Sequence, residues 1–233
     1  DDAKVGLPSS EPFLEFLNDN IVVFDGATGT ELYNRGIFIN RCFDELNLSS
    51  PDLIRDVHRG YRKVGADVLE SNTFGANRFK LRTHGYHEKL ADINRAGARL
   101  AREVAGDEVY VAGSIGPLGI KIEPWGPTSV EEAYAAFQEQ AAALLSGGVD
   151  LFALETFADL NEIHQAIRAV RDLCDLPIVA HMTLEENGDS LYGTAPEVFT
   201  RRLDEWGADV IGVNCSVGPH VMLEAVERIL KTT

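Results

Sequence analysis

Three times along the chain the same short signature leads into an apolar run: Gly65-Ala66-Asp67-Val68, Gly148-Val149-Asp150-Leu151 and Gly207-Ala208-Asp209-Val210. A glycine there ends a helix in a left-handed turn, and the aspartate two residues on can accept bonds from nearby backbone amides. Each copy reads as a junction from helix to strand. Runs of strand length span Ile21 to Asp25, Val68 to Ser71, Val109 to Ser114, Leu151 to Glu155, Ile178 to Thr183 and Val210 to Cys215. Amphipathic stretches separate them: Pro51 to Val64, Glu88 to Val104, Ser129 to Leu145, Leu160 to Leu173 and Pro196 to Trp206. Such alternation predicts a parallel sheet with crossover helices.

Several runs end in polar residues: Asp25, Glu70-Ser71-Asn72, Glu155-Thr156 and Asn214-Cys215. A doubly wound open sheet gathers its chemistry at one switch point, whereas in a (β/α)8 barrel every loop after a strand faces one mouth. Polar tips on many strands favour the α/β barrel. Only six βα units are present where eight are expected, so the sequence predicts a tail over 1–18 and a barrel domain over 19–233, truncated before its last two units. The expectation is a piece of a longer chain.

With 45% hydrophobic residues in 233, a large core is available. A formal net charge of -16 disfavours nucleic acid and anionic membrane as partners and favours a small molecule. No apolar run approaches the roughly 18 residues of a transmembrane helix, and the first residues lack a signal-peptide pattern, so a cytoplasmic location is expected. Cys42, Cys174 and Cys215 are the three cysteines, and none forms a C-x-x-C pair. Cys215, delivered by an apolar run to its carboxyl end, is the candidate metal ligand or nucleophile. Cys42 and Cys174 read as packing residues.

Asp25-Gly26-Ala27-Thr28-Gly29-Thr30 places a carboxylate before small residues at a helix start. Asp25 can accept bonds from an ammonium group, and free amides at such a turn can hold a carboxylate; a plain capping role for Asp25 is equally compatible. Glu70 can turn inward by strand alternation, leaving Asn72 and Thr73 as candidate rim residues. His181 is read as a core histidine or a pocket residue, and Trp125 as a ligand cover or loop packing.

Four motifs, Asp25 to Leu32, Glu70 to Asn77, Glu155-Thr156-Phe157 with Asp159 and Glu162, and Gly212 to Pro219, together resemble the homocysteine S-methyltransferase family. Arg41 to Leu48 is also similar. The likeness is closest to the homocysteine-binding modules of cobalamin-dependent methionine synthase and of the bifunctional methyltransferase/methylenetetrahydrofolate reductase proteins. It implies zinc-dependent methyl transfer to the thiol of L-homocysteine, forming methionine. It further implies homocysteine held by Asp25, Gly26 and Glu155, with Cys215 as a zinc ligand; the turn amides from Gly26 through Ala27 to Thr28 and the rim residues Asn72 and Thr73 complete the candidate substrate site. The methyl source would be methylcobalamin or folate, and further cobalamin-, folate- or reductase-type domains would share the polypeptide. The family's paired-cysteine motif, which supplies two more zinc ligands, has no match here. The chain alone is therefore expected to be inactive, and a noncatalytic amino-acid-binding or interaction fragment is the rival reading. A Schiff-base barrel lyase or aldolase is a second rival, but no expected strand ends in lysine.

Overall fold

The computed structural model describes residues 11–232. Helices α1 (Phe13–Asp19), α2 (Thr28–Asn34), α3 (Leu46–Ser49) and α4 (Pro51–Lys63) precede strand β1 (Val68–Glu70). There follow α5 (Arg78–Thr83), α6 (Leu90–Ala105), β2 (Tyr110–Ile115), α7 (Val130–Gly147), β3 (Leu151–Phe157), α8 (Leu160–Arg171), β4 (Ile178–Met182), α9 (Pro196–Glu205), β5 (Val210–Val213) and α10 (Pro219–Leu230). The five strands are parallel and lie in the sheet in chain order. An order without reversal, with a helical crossover between successive strands, is the wall of a barrel and not a doubly wound sheet.

The first expected strand, Ile21 to Asp25, is reduced to one parallel bridge between Phe24 and Val68. The Val23 carbonyl accepts the amides of Asp67 and Val68, and the Asp25 amide donates to the Val68 carbonyl at 3.0 Å. The run thus follows the edge of β1, but among the described residues no strand pairs with its other side. The expected tail over 1–18 lies partly outside the described residues, which start at residue 11. Its later part is helix α1, because Phe13 has a place to bury: its ring meets that of Tyr110 edge-on at 5.5 Å, and the Tyr110 hydroxyl donates to the Glu11 carbonyl.

Strand alternation sorts the side chains into two cores. Leu69, Val111, Phe152, Leu154, Ile178 and Ala180 face the helices. Val68, Tyr110, Ala112, Leu151, Ala153 and Val179 point the other way, toward α1. Two residues farther along, the same inward face becomes Glu70, Ser114, Glu155 and His181. A period of two therefore carries each strand from an apolar floor to a polar mouth.

The repeated signature fixes the register at the opposite end. Gly65, Gly148 and Gly207 all adopt positive φ, at 96°, 92° and 87°. Each following aspartate accepts an amide from the preceding strand position: Asp67 from Val23 at 2.9 Å, Asp150 from Val111 at 2.7 Å and Asp209 from Ile178 at 2.8 Å. Arg102 and Arg171 pair with Asp150 and Asp209.

Candidate active site

A cavity of about 720 Å³ opens at the carboxyl ends of the strands. Its polar floor holds three carboxyl groups, Asp25, Glu70 and Glu155, with Ser114 and His181 in the same layer. One Asp25 oxygen accepts the Glu70 amide at 3.1 Å; the other, Oδ1, is buried with no hydrogen-bond partner. Burial pushes the Asp25 carboxyl up to about 8, assisted by repulsion from Glu155. Glu70 is raised well above the usual carboxylate range by burial and by the charges of Glu155 and Asp25. Glu155 is raised by burial too, opposed by the Ser114 hydroxyl bonded to it and by the Lys80 charge. Among the described residues none of the three has an ion-pair partner within 4 Å, and a ligand ammonium group would supply one.

Alternation from inward-facing Ala153 brings Glu155 to the cavity, and the β3–β4 register shifts between Leu154 and Phe157. Such an irregularity re-aims side chains at a strand end. Within it, Thr156 takes φ of 65°, an unusual state for a β-branched residue. The cost is met across the mouth by Asn214, whose Oδ1 accepts the Thr156 amide and whose Nδ2 donates to the Thr156 hydroxyl, both at 2.9 Å. Cys215 and Ser216 also have positive φ, 60° and 65°. Cys215 is exposed at the cavity, its Sγ 3.7 Å from Thr156 Oγ1.

Gly26, Ala27 and Thr28 line the same cavity. Gly26 packs closely there: a Cβ would stand 3.1 Å from the Tyr61 ring, which would have to give way by a few tenths of an ångström. Asn72 and Thr73 border the cavity, yet their polar atoms serve the scaffold. Asn72 Nδ2 donates to the Phe43 carbonyl at 2.7 Å and to Asn47 Oδ1, while the Thr73 hydroxyl donates to the Ser114 carbonyl at 2.7 Å. Asp44 accepts the Gly75 amide at 2.8 Å, so the segment from Arg41 to Leu48 is tied to that following β1. Glu162, pushed by burial to about 7, accepts the Leu118 amide and anchors the loop after β2. Trp125 stacks on Tyr192 at 5.0 Å, joining the loops after β2 and β4.

His181 borders the cavity, and its imidazole is held neutral by burial, at about 4. Cys174 packs beside the larger core; Cys42 is buried among Ala76, Leu81, Leu90 and Ile93 but also borders the cavity, its Sγ 3.9 Å from Asp44 Oδ2. Among the described residues no three His, Cys, Asp or Glu side chains converge on a point that a metal could occupy. Cys215 is a single donor, and one thiolate does not make a tetrahedral zinc site. The sequence reading passed over Ser114 and Lys80; Ser114 carried a signal, since it lies two residues beyond inward-facing Ala112.

The family model for homocysteine S-methyltransferase matches residues 22–233. The chain belongs to this family. It is 33% identical over 236 residues to a methionine synthase of Mycobacterium leprae, covering 94% of this chain and 19% of that protein. For the methionine synthase of Mycobacterium tuberculosis the identity is 32%, over 93% of this chain and 20% of the relative. The chain thus spans about a fifth of the length of these relatives. The Escherichia coli homocysteine methyltransferase MmuM superposes in its oxidized form with a TM-score of 0.85 at 24% identity, over 96% of this chain and 83% of that one. Its metallated form gives 0.84 at 24% identity, over 96% and 84%. These likenesses carry the barrel fold. No described helix is long and apolar enough to cross a membrane.

Proposed function

We propose that the cavity binds L-homocysteine, and that the protein to which the chain belongs transfers a methyl group to its thiol, forming methionine. The observation that carries this reading is Asp25 Oδ1, a buried acceptor without a partner, on a floor shared with Glu70 and Glu155. An α-ammonium group seated there satisfies that acceptor and relieves the repulsion among the carboxyls. The amides at Gly26 to Thr28 receive the carboxylate, leaving the sulfur to extend toward Cys215. Family membership supports the choice of a thiol amino acid over other amines.

Methyl transfer to sulfur needs the thiolate, and an alkyl thiol of pKa about 8.5 is largely protonated at neutral pH. In the family reading zinc supplies that activation, with methylcobalamin or folate as methyl source on further domains. Cys215 offers one ligand, and the described residues do not complete a zinc donor set around it. This single donor favours amino-acid binding without turnover by the chain on its own. Replacement Glu155→Gln is expected to weaken L-homocysteine binding by roughly 1.5–3 kcal/mol, the worth of a charge-assisted bond. Calorimetric titration decides it: undiminished affinity removes Glu155 from the ammonium site.

A further inference from the structure

The cavity contains a cation that the homocysteine reading leaves without a task. Lys80 follows the helix cap made by Asn77, whose Oδ1 accepts the Phe79 and Lys80 amides at 3.1 and 3.0 Å. Its stem crosses Gly119, with Cε only 3.0 Å from where a Cβ of that residue would stand. Its ammonium lies over the Phe74 ring, 4.5 Å from the centroid, on the cavity wall. Phe74 is itself laid flat across Gly116, where any Cβ would fall within 2.4 Å of the ring. Two glycines and an aromatic face thus hold the lysine in place.

Asp44, Glu162 and Glu155 are within electrostatic reach of this ammonium, but among the described residues it has no ion pair within 4 Å. The carboxylates are committed elsewhere: Asp44 to the Gly75 amide, Glu162 to the Leu118 amide and Glu155 to Ser114. The floor itself carries the acids Asp25, Glu70 and Glu155 beside the neutral His181, while Arg41, 3.8 Å from Glu45, and His84 also border the cavity; an entering carboxylate meets repulsion from the floor that partial amide charges alone offset poorly.

We propose that Lys80 is the anion-recognition residue of the cavity, supplying the positive charge that admits the α-carboxylate of the bound amino acid. The proposal rests on the homocysteine reading above and adds to it a selectivity for amino acids over simple amines. A purely structural lysine would instead balance Asp44 and Glu162 and be indifferent to what the ligand carries.

The two roles separate in a titration of this chain, its Lys80→Met variant and its Lys80→Arg variant with L-homocysteine and with 3-aminopropane-1-thiol, which is the same molecule without its carboxylate. Lys80→Met is expected to lower the affinity for L-homocysteine at least ten-fold while leaving that for the aminothiol unchanged or tighter, and Lys80→Arg to restore most of the loss. Equal losses for both ligands, or no loss for either, overturn the proposal and leave the binding site standing. Failure of the unsubstituted chain to bind L-homocysteine overturns the underlying reading, and the proposal with it. Thermal melting of each variant separates unfolding from weakened recognition.

Discussion

At the residue scale the molecule uses burial to hold charges in unusual states, and this has consequences beyond the cavity. His58 on α4 is fully buried, and neither ring nitrogen has a hydrogen-bond partner. Burial lowers its pKa from 6.5 to about 4, so the ring is neutral in the fold. Because the folded value lies below the unfolded one, the unfolded state takes up the proton first. The associated stability is full above pH 6.5 and is lost as pH falls through the window from 6.5 to 4, by up to about 3 kcal/mol. His58→Phe is expected to shrink the fall in urea midpoint between pH 7 and 4.5; an unchanged fall would place the acid sensitivity elsewhere, His181 first. Asp25 carries the opposite sign. Its carboxyl, raised to about 8, favours the fold below pH 3.8 and loses that contribution as pH climbs through 8. An ammonium ligand that takes over Asp25 Oδ1 offsets this loss.

At the element scale the five helices anticipated from amphipathic runs all form, with ends that move by a few residues. Ser129 shows why such starts are legible: its side chain accepts the Glu132 amide while Glu132 bonds back to the Ser129 amide, a pattern written in the sequence. The strands were legible from apolar runs, but Ile21 to Asp25 was not legible as an edge bridge, because pairing depends on a neighbour that composition does not reveal. Helix α1 was missed because its reason for existing is a distant ring, Tyr110. The aspartates of the repeat are expected to accept nearby backbone amides, and the structure shows that those amides belong to the adjacent strand or run, so each aspartate is a tie between neighbours in the sheet. Asp150→Ala removes such a tie, together with the Arg102 pairing, and is expected to cost about 2 kcal/mol of stability in urea denaturation. A change below 0.5 kcal/mol would show the tie to be ornamental.

At the scale of the whole molecule, the barrel wall followed from polar tips on successive strands, and Asp25 and Glu155, two of those tips, line one cavity. What the sequence hid was geometric: the register shift beside Glu155, the left-handed turn at Thr156 and the engagement of Asn72 and Thr73 by the scaffold. None of these has a signature in residue type alone. The metal question is likewise one of assembly. With Cys215 the one exposed cysteine among the described residues, metal analysis of the reduced chain is expected to find well under one zinc per molecule, and stoichiometric zinc would require donors beyond Cys215. The passage of each inward face from an apolar floor to polar groups within a few residues splits the molecule into two territories. A laboratory selection for heat resistance and one for new substrates would draw on almost disjoint positions, so that gains in one can accumulate without being undone by the other.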